Sequence, residues 1–131
     1  DETYYNAEGA IVWKIIYSYN AKNQLEKETE YFADGSLDEE RFYEYSADGK
    51  IDTISYANVD GLKMKEVFRY DNMGNITEVT TYSADNKTTK RLLVKYDAAG
   101  NVVKLTTYDV VKKFGTINNE MVDMVEFAYQ Y

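Results

Sequence analysis

The segment Tyr70-Asp-Asn-Met-Gly74-Asn-Ile76 contains the pattern that decides the fold of this chain. Asp71 is a residue type that a type I turn favours at its first position, because its side chain accepts hydrogen bonds from backbone N–H groups further round the turn. Gly74 suits the positive φ that the chain needs before it enters the next strand. A type I turn closed in this way joins the two strands of a hairpin and carries a G1 bulge.

The same pattern recurs along the chain as Tyr-[Asp/Asn/Ser]-x-x-Gly-x-[Ile/Leu/Val]. Copies begin at Tyr5, Tyr19, Tyr31, Tyr45, Tyr70 and Tyr96, and the copy at Tyr31 has Phe32 in the second position. Variants cover Tyr56–Leu62 and Tyr82–Thr88. Two copies have Asn23 and Asn86 in place of glycine, and Asn is the next residue most tolerant of positive φ. Tyr70 and Tyr96 are 26 residues apart, so a full unit contains two strands and two turns. Agreement across eight copies is strong evidence for a hairpin repeat.

These turns predict an all-β fold, an antiparallel β-hairpin repeat meander of about nine or ten strands. Because each strand is twisted relative to its neighbour, we expect a strongly twisted or coiled sheet, formed as a half-pipe, a roll or an open barrel. The predicted strands lie near residues 2–5, 11–19, 25–31, 37–45, 51–57, 62–70, 76–82, 88–96, 102–108 and 121–130.

The domain organisation follows from the length of 131 residues and from the extent of the repeat. A chain of this length forms one domain by the usual prior, so we predict a single β-hairpin repeat domain over residues 1–131. The repeats cover about residues 5–108. Residues 109–131 depart from the pattern, and we expect them to form a divergent capping segment, as terminal units of repeat proteins often do.

The alternation of side chains along strands predicts one aromatic face and one solvated, charged face. Cross-strand pairs of aromatic and β-branched residues stabilise such a face. The predicted aromatic face contains Ile11, Trp13, Ile15, Tyr17, Tyr19, Leu25, Tyr31, Leu37, Tyr43, Tyr45, Tyr70, Ile76, Tyr82, Leu92, Val94, Tyr96, Val102 and Tyr108. The predicted charged face contains Glu26, Glu28, Glu30, Asp38, Glu40, Glu44, Lys63, Lys65 and Arg69.

Composition limits the functional classes. The chain has 15 Lys and Arg against 23 Asp and Glu, a formal charge of −8, which disfavours nucleic acid as a partner. No stretch reaches the roughly 20 apolar residues of a spanning helix, so we expect no membrane insertion. Cys and His are absent, which excludes His- and Cys-based catalytic triads and Cys-bound zinc. We therefore predict no catalytic residues, no cofactor, no metal and no enzymatic activity.

Three groups of residues are candidates for a site. Aromatic side chains are first of all core residues, but exposed ones stack on sugar rings or on another protein. The candidate ligand platform contains Trp13, Tyr17, Tyr19, Tyr43 and Tyr45. Candidate carboxylates for glycoside hydrolysis are Glu26, Glu28, Glu30, Asp38 and Glu40, which the alternation instead interprets as a solvated face. Asp34, Asp48, Asp60 and Asp85 could suggest calcium, but turn chemistry explains them without a metal.

The copies Tyr70–Ile76 and Tyr96–Val102 resemble the YD repeat of the RHS family. The wider pattern is similar to YD-like secreted proteins and lipoproteins of Bacteroidota. The resemblance covers about residues 5–108. It implies a β-hairpin array, a secreted, periplasmic or cell-surface location, and a shell or binding role without catalytic residues.

Our first functional hypothesis is a non-catalytic, extracytoplasmic β-repeat module with a structural or protein-interaction role. The alternative is a carbohydrate-binding module that uses exposed Tyr and Trp side chains. A third and more remote hypothesis is a carboxylate-dependent glycoside hydrolase. The expected partner is a protein or a glycan, and the aromatic face also offers a surface for self-association.

Overall fold

The computed structural model describes residues 1–130, and these form ten β-strands and no helix. The strand order follows the order of the chain from β1 to β10, as in a meander. The predicted all-β antiparallel class is thereby confirmed. The strands are β1 (Glu2–Tyr5), β2 (Ile11–Tyr19), β3 (Leu25–Phe32), β4 (Leu37–Tyr45), β5 (Ile51–Asn58), β6 (Gly61–Tyr70), β7 (Ile76–Ser83), β8 (Thr88–Tyr96), β9 (Val102–Lys113) and β10 (Thr116–Glu126). No helix in this part of the chain has the length and hydropathy of a membrane span.

The turns have the predicted chemistry. The Asp71 carboxylate accepts bonds from the backbone N–H groups of Met73 and Asn75, each at 2.9 Å. The Gly74 N–H donates to the Asp71 carbonyl at 3.1 Å, and φ at Gly74 is +84°. The hydrogen bonds that these backbone N–H groups donate stabilise the charged carboxylate, so they lower the pKa of Asp71. The prediction of type I turns closed by a residue of positive φ is confirmed.

Two connections differ from the repeated turn. β5 and β6 are joined by the two-residue turn Val59–Asp60, so the variant copy Tyr56–Leu62 is a tighter hairpin. β9 and β10 are joined at Phe114 and Gly115, with φ of +50° and +79°, as in a two-residue type I′ turn. We expected strands near 102–108 and 121–130. The tight turn instead allows β9 to continue to Lys113 and β10 to begin at Thr116.

By compactness the chain divides into two units, Asp1–Lys65 and a second one that begins at Glu66. In the first unit, β1 to β5 pair successively and antiparallel. In the second unit, β7 to β10 do the same. The division leaves the single-domain interpretation and the capping role of residues 109–131 as predictions.

The predicted assignment of side chains to faces is wrong in a systematic way. After six of the repeated turns, the second residue of the outgoing strand has no partner on the incoming strand. Glu26 is an example: Tyr19 pairs with Leu25, but Ser18 pairs with Lys27. This extra bulge reverses the alternation for the rest of the strand. Equivalent unmatched residues are Val12, Asp38, Asp52, Thr89 and Val103.

The consequence in the first unit is that the tyrosines of successive copies lie on opposite faces. What we name the Trp13 face contains Trp13, Ile15, Tyr17, Tyr19, Leu25, Glu28, Glu30, Phe32, Glu39, Arg41, Tyr43, Tyr45, Ile51, Ile54 and Tyr56. The reverse side, the Thr29 face, contains Ile11, Lys27, Thr29, Tyr31, Leu37, Glu40, Phe42, Glu44 and Thr53. The prediction therefore misplaced Glu28 and Glu30, and also Ile11, Tyr31 and Leu37.

The second unit shows the same split. Its Thr80 face contains Glu78, Thr80, Tyr82, Thr88, Arg91, Leu93, Thr106 and Tyr108. Leu92, Val94, Tyr96 and Val102 lie on the reverse side, so the single aromatic face predicted here is also wrong.

Burial is shallow on both faces. Among the described residues no large side chain is fully buried, and Ile15 is the one buried hydrophobic residue. The other buried side chains are threonines on odd-numbered strands: Thr29, Thr53, Thr80 and Thr106. β-branched Thr suits a pleated surface, and it recurs once per unit of the repeat.

Candidate functional site

The five platform residues share the Trp13 face, in two groups. Trp13, Tyr17 and Tyr19 lie on β2, whereas Tyr43 and Tyr45 lie on β4. β3 runs between these strands and pairs with both. The structure therefore brings the predicted residues to one face but places the side chains of β3 between the two groups.

Three of the platform tyrosines donate hydrogen bonds from their hydroxyls to other groups of the protein. Tyr17 donates to the Glu2 carboxylate at 3.2 Å, and Tyr43 donates to the Glu28 carboxylate at 2.8 Å. Tyr45 donates to the Leu25 carbonyl at 2.7 Å. Burial and the Glu28 carboxylate raise the pKa of Tyr43 to about 12. These tyrosines hold strands together, which limits the hydroxyls available to a ligand.

The bond from Tyr45 has an equivalent in the second unit. Tyr96 donates to the Ile76 carbonyl, also at 2.7 Å. In both cases the tyrosine stands just before a turn, and its hydroxyl donates to the first residue of the strand that begins two turns earlier in the sequence. The recurrence indicates that this tyrosine position of the repeat has a structural role.

The structure adds an exposed row of aromatic rings that the sequence did not indicate. Tyr4 pairs directly with Trp13, and Trp13 pairs directly with Phe32, so three neighbouring strands contribute one ring each. The Tyr4 and Trp13 ring centroids are 4.8 Å apart at an interplanar angle of 43°. Exposure is 43% for Tyr4, 46% for Trp13 and 51% for Phe32. We call these three residues the aromatic row.

Phe32 could not be assigned to this row from alternation. Counting in twos from Leu25 places Phe32 on the reverse side. The unmatched Glu26 moves Phe32 to the Trp13 face. No residue type marks the bulge, because its six positions carry Val, Glu, Asp, Asp, Thr and Val.

A second feature of the Trp13 face is an arginine held by three glutamates, which we call the Arg41 cluster. The Arg41 guanidinium lies 2.7 Å from Glu39, 3.3 Å from Glu28 and 3.4 Å from Glu30. The carbon centre of the guanidinium is 5.9 Å from the Tyr56 ring centroid. Burial disfavours the charged form, but the three carboxylates outweigh it and raise the pKa of Arg41.

The carboxylates that we considered for glycoside hydrolysis are dispersed. Glu28 and Glu30 belong to the Arg41 cluster, and Glu40 lies on the Thr29 face in an ion pair with Lys27. Glu26 and Asp38 occupy bulge positions. The solvated-face interpretation is wrong for Glu28, Glu30 and Glu40, whose side chains are only 16%, 23% and 22% exposed.

The turn aspartates accept local hydrogen bonds. Asp34 accepts from the Ser36 N–H at 2.8 Å, and its pKa is lowered by the Ser36 hydroxyl and backbone. Asp48 accepts from Ser46 and Lys50, and Asp85 accepts from Ser83 and Lys87. Lys50 and Ser46 lower the pKa of Asp48 to about 2. Within residues 1–130, no group of three or more acidic side chains is arranged to hold a metal ion.

Comparison with known proteins gives structural similarity only. No family model matches the chain, and no curated protein matches its sequence. Similar solved structures include a Bacteroides fragilis protein of unknown function, with a TM-score of 0.59 and 12% identity over 88% of this chain and 91% of that one.

Two further similar structures contain much longer chains. A Photorhabdus luminescens Tc holotoxin pore gives a TM-score of 0.57 at 18% identity, covering 92% of this chain and 7% of that chain. A TcdB2–TccC3–Cdc42 crystal structure gives 0.56 at 15% identity, covering 91% and 8%. This chain thus spans less than a tenth of the length of these two chains. At such identities the similarity shows the fold alone, which is an RHS/YD-like β-repeat.

Proposed function

We propose that this chain is a non-catalytic, extracytoplasmic β-repeat module that binds an extended segment of a protein partner at the aromatic row. The observation that carries the proposal is the exposure of Tyr4, Trp13 and Phe32 in one line across three strands. Contiguous exposed aromatic surface is typical of interaction sites, because burial of these rings on binding is strongly favourable.

The position of the aromatic row favours an extended peptide. The three rings lie in one line across β1, β2 and β3, so an extended segment that crosses these strands can contact all of them. Its side chains would cover the exposed parts of the Tyr4, Trp13 and Phe32 rings, which removes apolar surface from water.

The experiment uses Trp13 as its own reporter, since it is the one tryptophan of the chain. Peptides selected from a displayed library are titrated while Trp13 emission is followed. Binding is then measured for Phe32→Ala, which shortens the aromatic row, and for Phe42→Ala, which removes an exposed ring from the opposite face. We expect loss of binding in Phe32→Ala and retention in Phe42→Ala. Equal effects of the two variants would contradict the proposal.

The second candidate is a carbohydrate-binding module, which the exposed Trp13 and Tyr19 support. A glycan array separates the two functions. Glycan binding that is lost in Trp13→Ala, in a protein that remains folded, would favour the carbohydrate module. A blank array together with peptide binding would favour the protein partner.

The proposal that the chain is not an enzyme is tested on a panel of polysaccharides. We expect no turnover by the wild-type protein. Turnover that is abolished in Glu28→Gln or Glu30→Gln would establish a carboxylate hydrolase instead.

The proposed extracytoplasmic location rests on the resemblance to RHS/YD-like repeats. It is tested by treating intact cells that express the natural full-length protein with a protease. We expect digestion of this segment before cell lysis, or its recovery from the medium or periplasm. Full protection until the cytoplasm is released would contradict the location.

A further inference from the structure

A wide groove lies on the Thr80 face of the second unit. Its volume is about 1000 Å³, at the upper end of the range typical of small-molecule sites. The register aligns Thr80, Arg91 and Tyr108 in one row across three strands. The uncharged polar lining of the groove includes Ser83, Asn86, Thr88 and Asn119.

The charge of the groove is opposite to that of the chain. Its lining contains four cationic side chains, Arg69, Lys87, Arg91 and Lys112, and one carboxylate, Glu78. The whole chain has a formal charge of −8. A local excess of positive charge in an acidic protein attracts anions to this groove.

Two of the cations are available to a ligand. Arg91 is bound to Glu78 at 2.6 Å, and Lys87 is 3.0 Å from Asp85. Arg69 and Lys112 are exposed, and neither has a carboxylate oxygen of residues 1–130 within 4.0 Å. Burial acts against ionisation of Glu78, but the bonds from Arg91 and Thr80 and the nearby charges of Arg91 and Arg69 outweigh it and lower the pKa of Glu78. Glu78 is bonded to Arg91, so Arg69 and Lys112 remain without a carboxylate in direct contact.

The uncharged lining suits a ligand rich in hydroxyl groups. Hydroxyl and amide side chains supply both donors and acceptors, and Tyr82 supplies one aromatic ring. Val110, Val111 and Ile117 add apolar surface against which the C–H face of a sugar ring can pack. The groove lies on a sheet face, so its lining offers side chains where a peptide backbone would need strand-edge partners. We infer that the groove binds an anionic oligosaccharide whose sugar carboxylates contact Arg69 and Lys112.

This inference does not depend on the proposed function, because the aromatic row and the groove belong to different units. Its test has separate variants and separate ligands. A negative result for the groove therefore does not contradict the peptide site at the aromatic row, and the reverse also holds.

The test is isothermal titration calorimetry with two carboxylated probes, a galacturonic acid trisaccharide and a hyaluronan tetrasaccharide, at 50 mM NaCl. Galactotriose serves as the uncharged match for the first probe. We expect at least one acidic probe to bind, galactotriose not to bind, and affinity to fall at 500 mM NaCl because salt screens the ion pairs. Arg69→Gln and Lys112→Gln should each weaken binding about fivefold to tenfold, as expected for loss of one charged contact.

Lys90→Gln is the matched control. It removes an exposed cation from the same unit but from the reverse side of β8, next to Arg91. Affinity should be unchanged in this variant. Because Arg69 and Lys112 are both exposed, at least one of the two variants is expected to remain folded, as a thermal melt will show.

Four results would overturn the inference. They are the absence of binding by both acidic probes at millimolar concentration, equal binding of galactotriose, and an equal loss of affinity in Lys90→Gln. The fourth is tighter binding of a hexaglutamate peptide than of either sugar, which would identify an acidic protein segment as the ligand.

Discussion

At the scale of single residues, this protein depends on a backbone conformation that few side chains tolerate. The closing position of the repeated turn has φ of +60° at Asn23, +65° at Asn86 and +84° at Gly74. The substitution of Asn for Gly in two copies follows from its tolerance of this region. The carboxylate or amide that begins the turn then binds the backbone on either side of this position.

Gly74→Val should destabilise the protein by more than about 1 kcal/mol, because a β-branched residue is strained at positive φ. Gly74→Asn is the control, since two natural copies already have Asn at this position, and it should remain within about 0.5 kcal/mol of the wild type. Urea unfolding measures both. A Gly74→Val variant as stable as the wild type would disprove the assigned turn.

Tyr43 makes stability dependent on pH in the alkaline range. Its pKa is raised from 10.0 to about 12 in the folded protein, so the unfolded chain loses the proton first as pH rises. The contribution of Tyr43 is fully present below pH 10 and is lost between about pH 10 and 12. Relative to Tyr43→Phe, the wild type should lose unfolding free energy across this window. Parallel stability curves for the two proteins would contradict the role assigned to the Glu28 bond.

At the scale of elements, the bulge after each turn decides which side chains meet. In β3 it brings Glu28 opposite Arg41 and Glu30 opposite Glu39 on the Trp13 face. Without it, these carboxylates would lie with Phe42 on the reverse face. One unmatched residue in each outgoing strand therefore converts a predicted aromatic face into a mixed face with an ion-pair cluster.

Deletion of Glu26 tests this conclusion. Loss of the unmatched residue should move the rest of β3 to the opposite face, exposing Thr29 and separating Glu28 and Glu30 from Arg41. We expect destabilisation of more than about 2 kcal/mol, because several half-buried contacts are lost together. Glu26→Ala keeps the length of the strand and should cost less than about 0.5 kcal/mol, as for an exposed site. Similar stability of the deletion and the wild type in urea would show that register does not depend on this residue.

At the scale of the whole molecule, charge is unevenly distributed along the chain. Residues 1–65 carry seven Lys and Arg against 14 Asp and Glu, a formal charge of −7. The remaining residues carry eight against nine, a charge of −1. The acidity that disfavours nucleic acid therefore belongs to the first unit, which also contains the aromatic row. The second unit is nearly neutral overall, so a cationic groove in it is consistent with the acidity of the whole chain.

Charge should also control self-association. At pH 7 the formal charge of −8 keeps molecules apart, but near the sequence isoelectric point of 4.6 this repulsion vanishes. The exposed aromatic row should then drive association, which dynamic light scattering will detect as an increase in size between pH 7.5 and 4.6. Trp13→Ala should reduce the effect, whereas Phe114→Ala, which removes an exposed ring from the second unit, should not. A size that is unchanged at pH 4.6 would contradict this expectation.

The sequence by itself determined the elements of this fold. Turn chemistry acts within five residues, from Asp71 to Asn75, so each hairpin could be located from its own residues. For the same reason the strand boundaries of β2 to β8 were predicted within one residue. The turn at Phe114 was missed, because its tight geometry depends on positive φ at two positions, and only Gly115 indicated one of them.

The tertiary structure decided which residues share a face, and with that the candidate sites. A bulge changes side-chain direction for an entire strand, yet it arises from pairing between strands and is marked by no residue type. The platform residues were predicted on the correct strands, β2 and β4. The aromatic row, the Arg41 cluster and the cationic groove were not predicted. Each of these three features joins side chains from neighbouring strands, and their proximity is set by strand register.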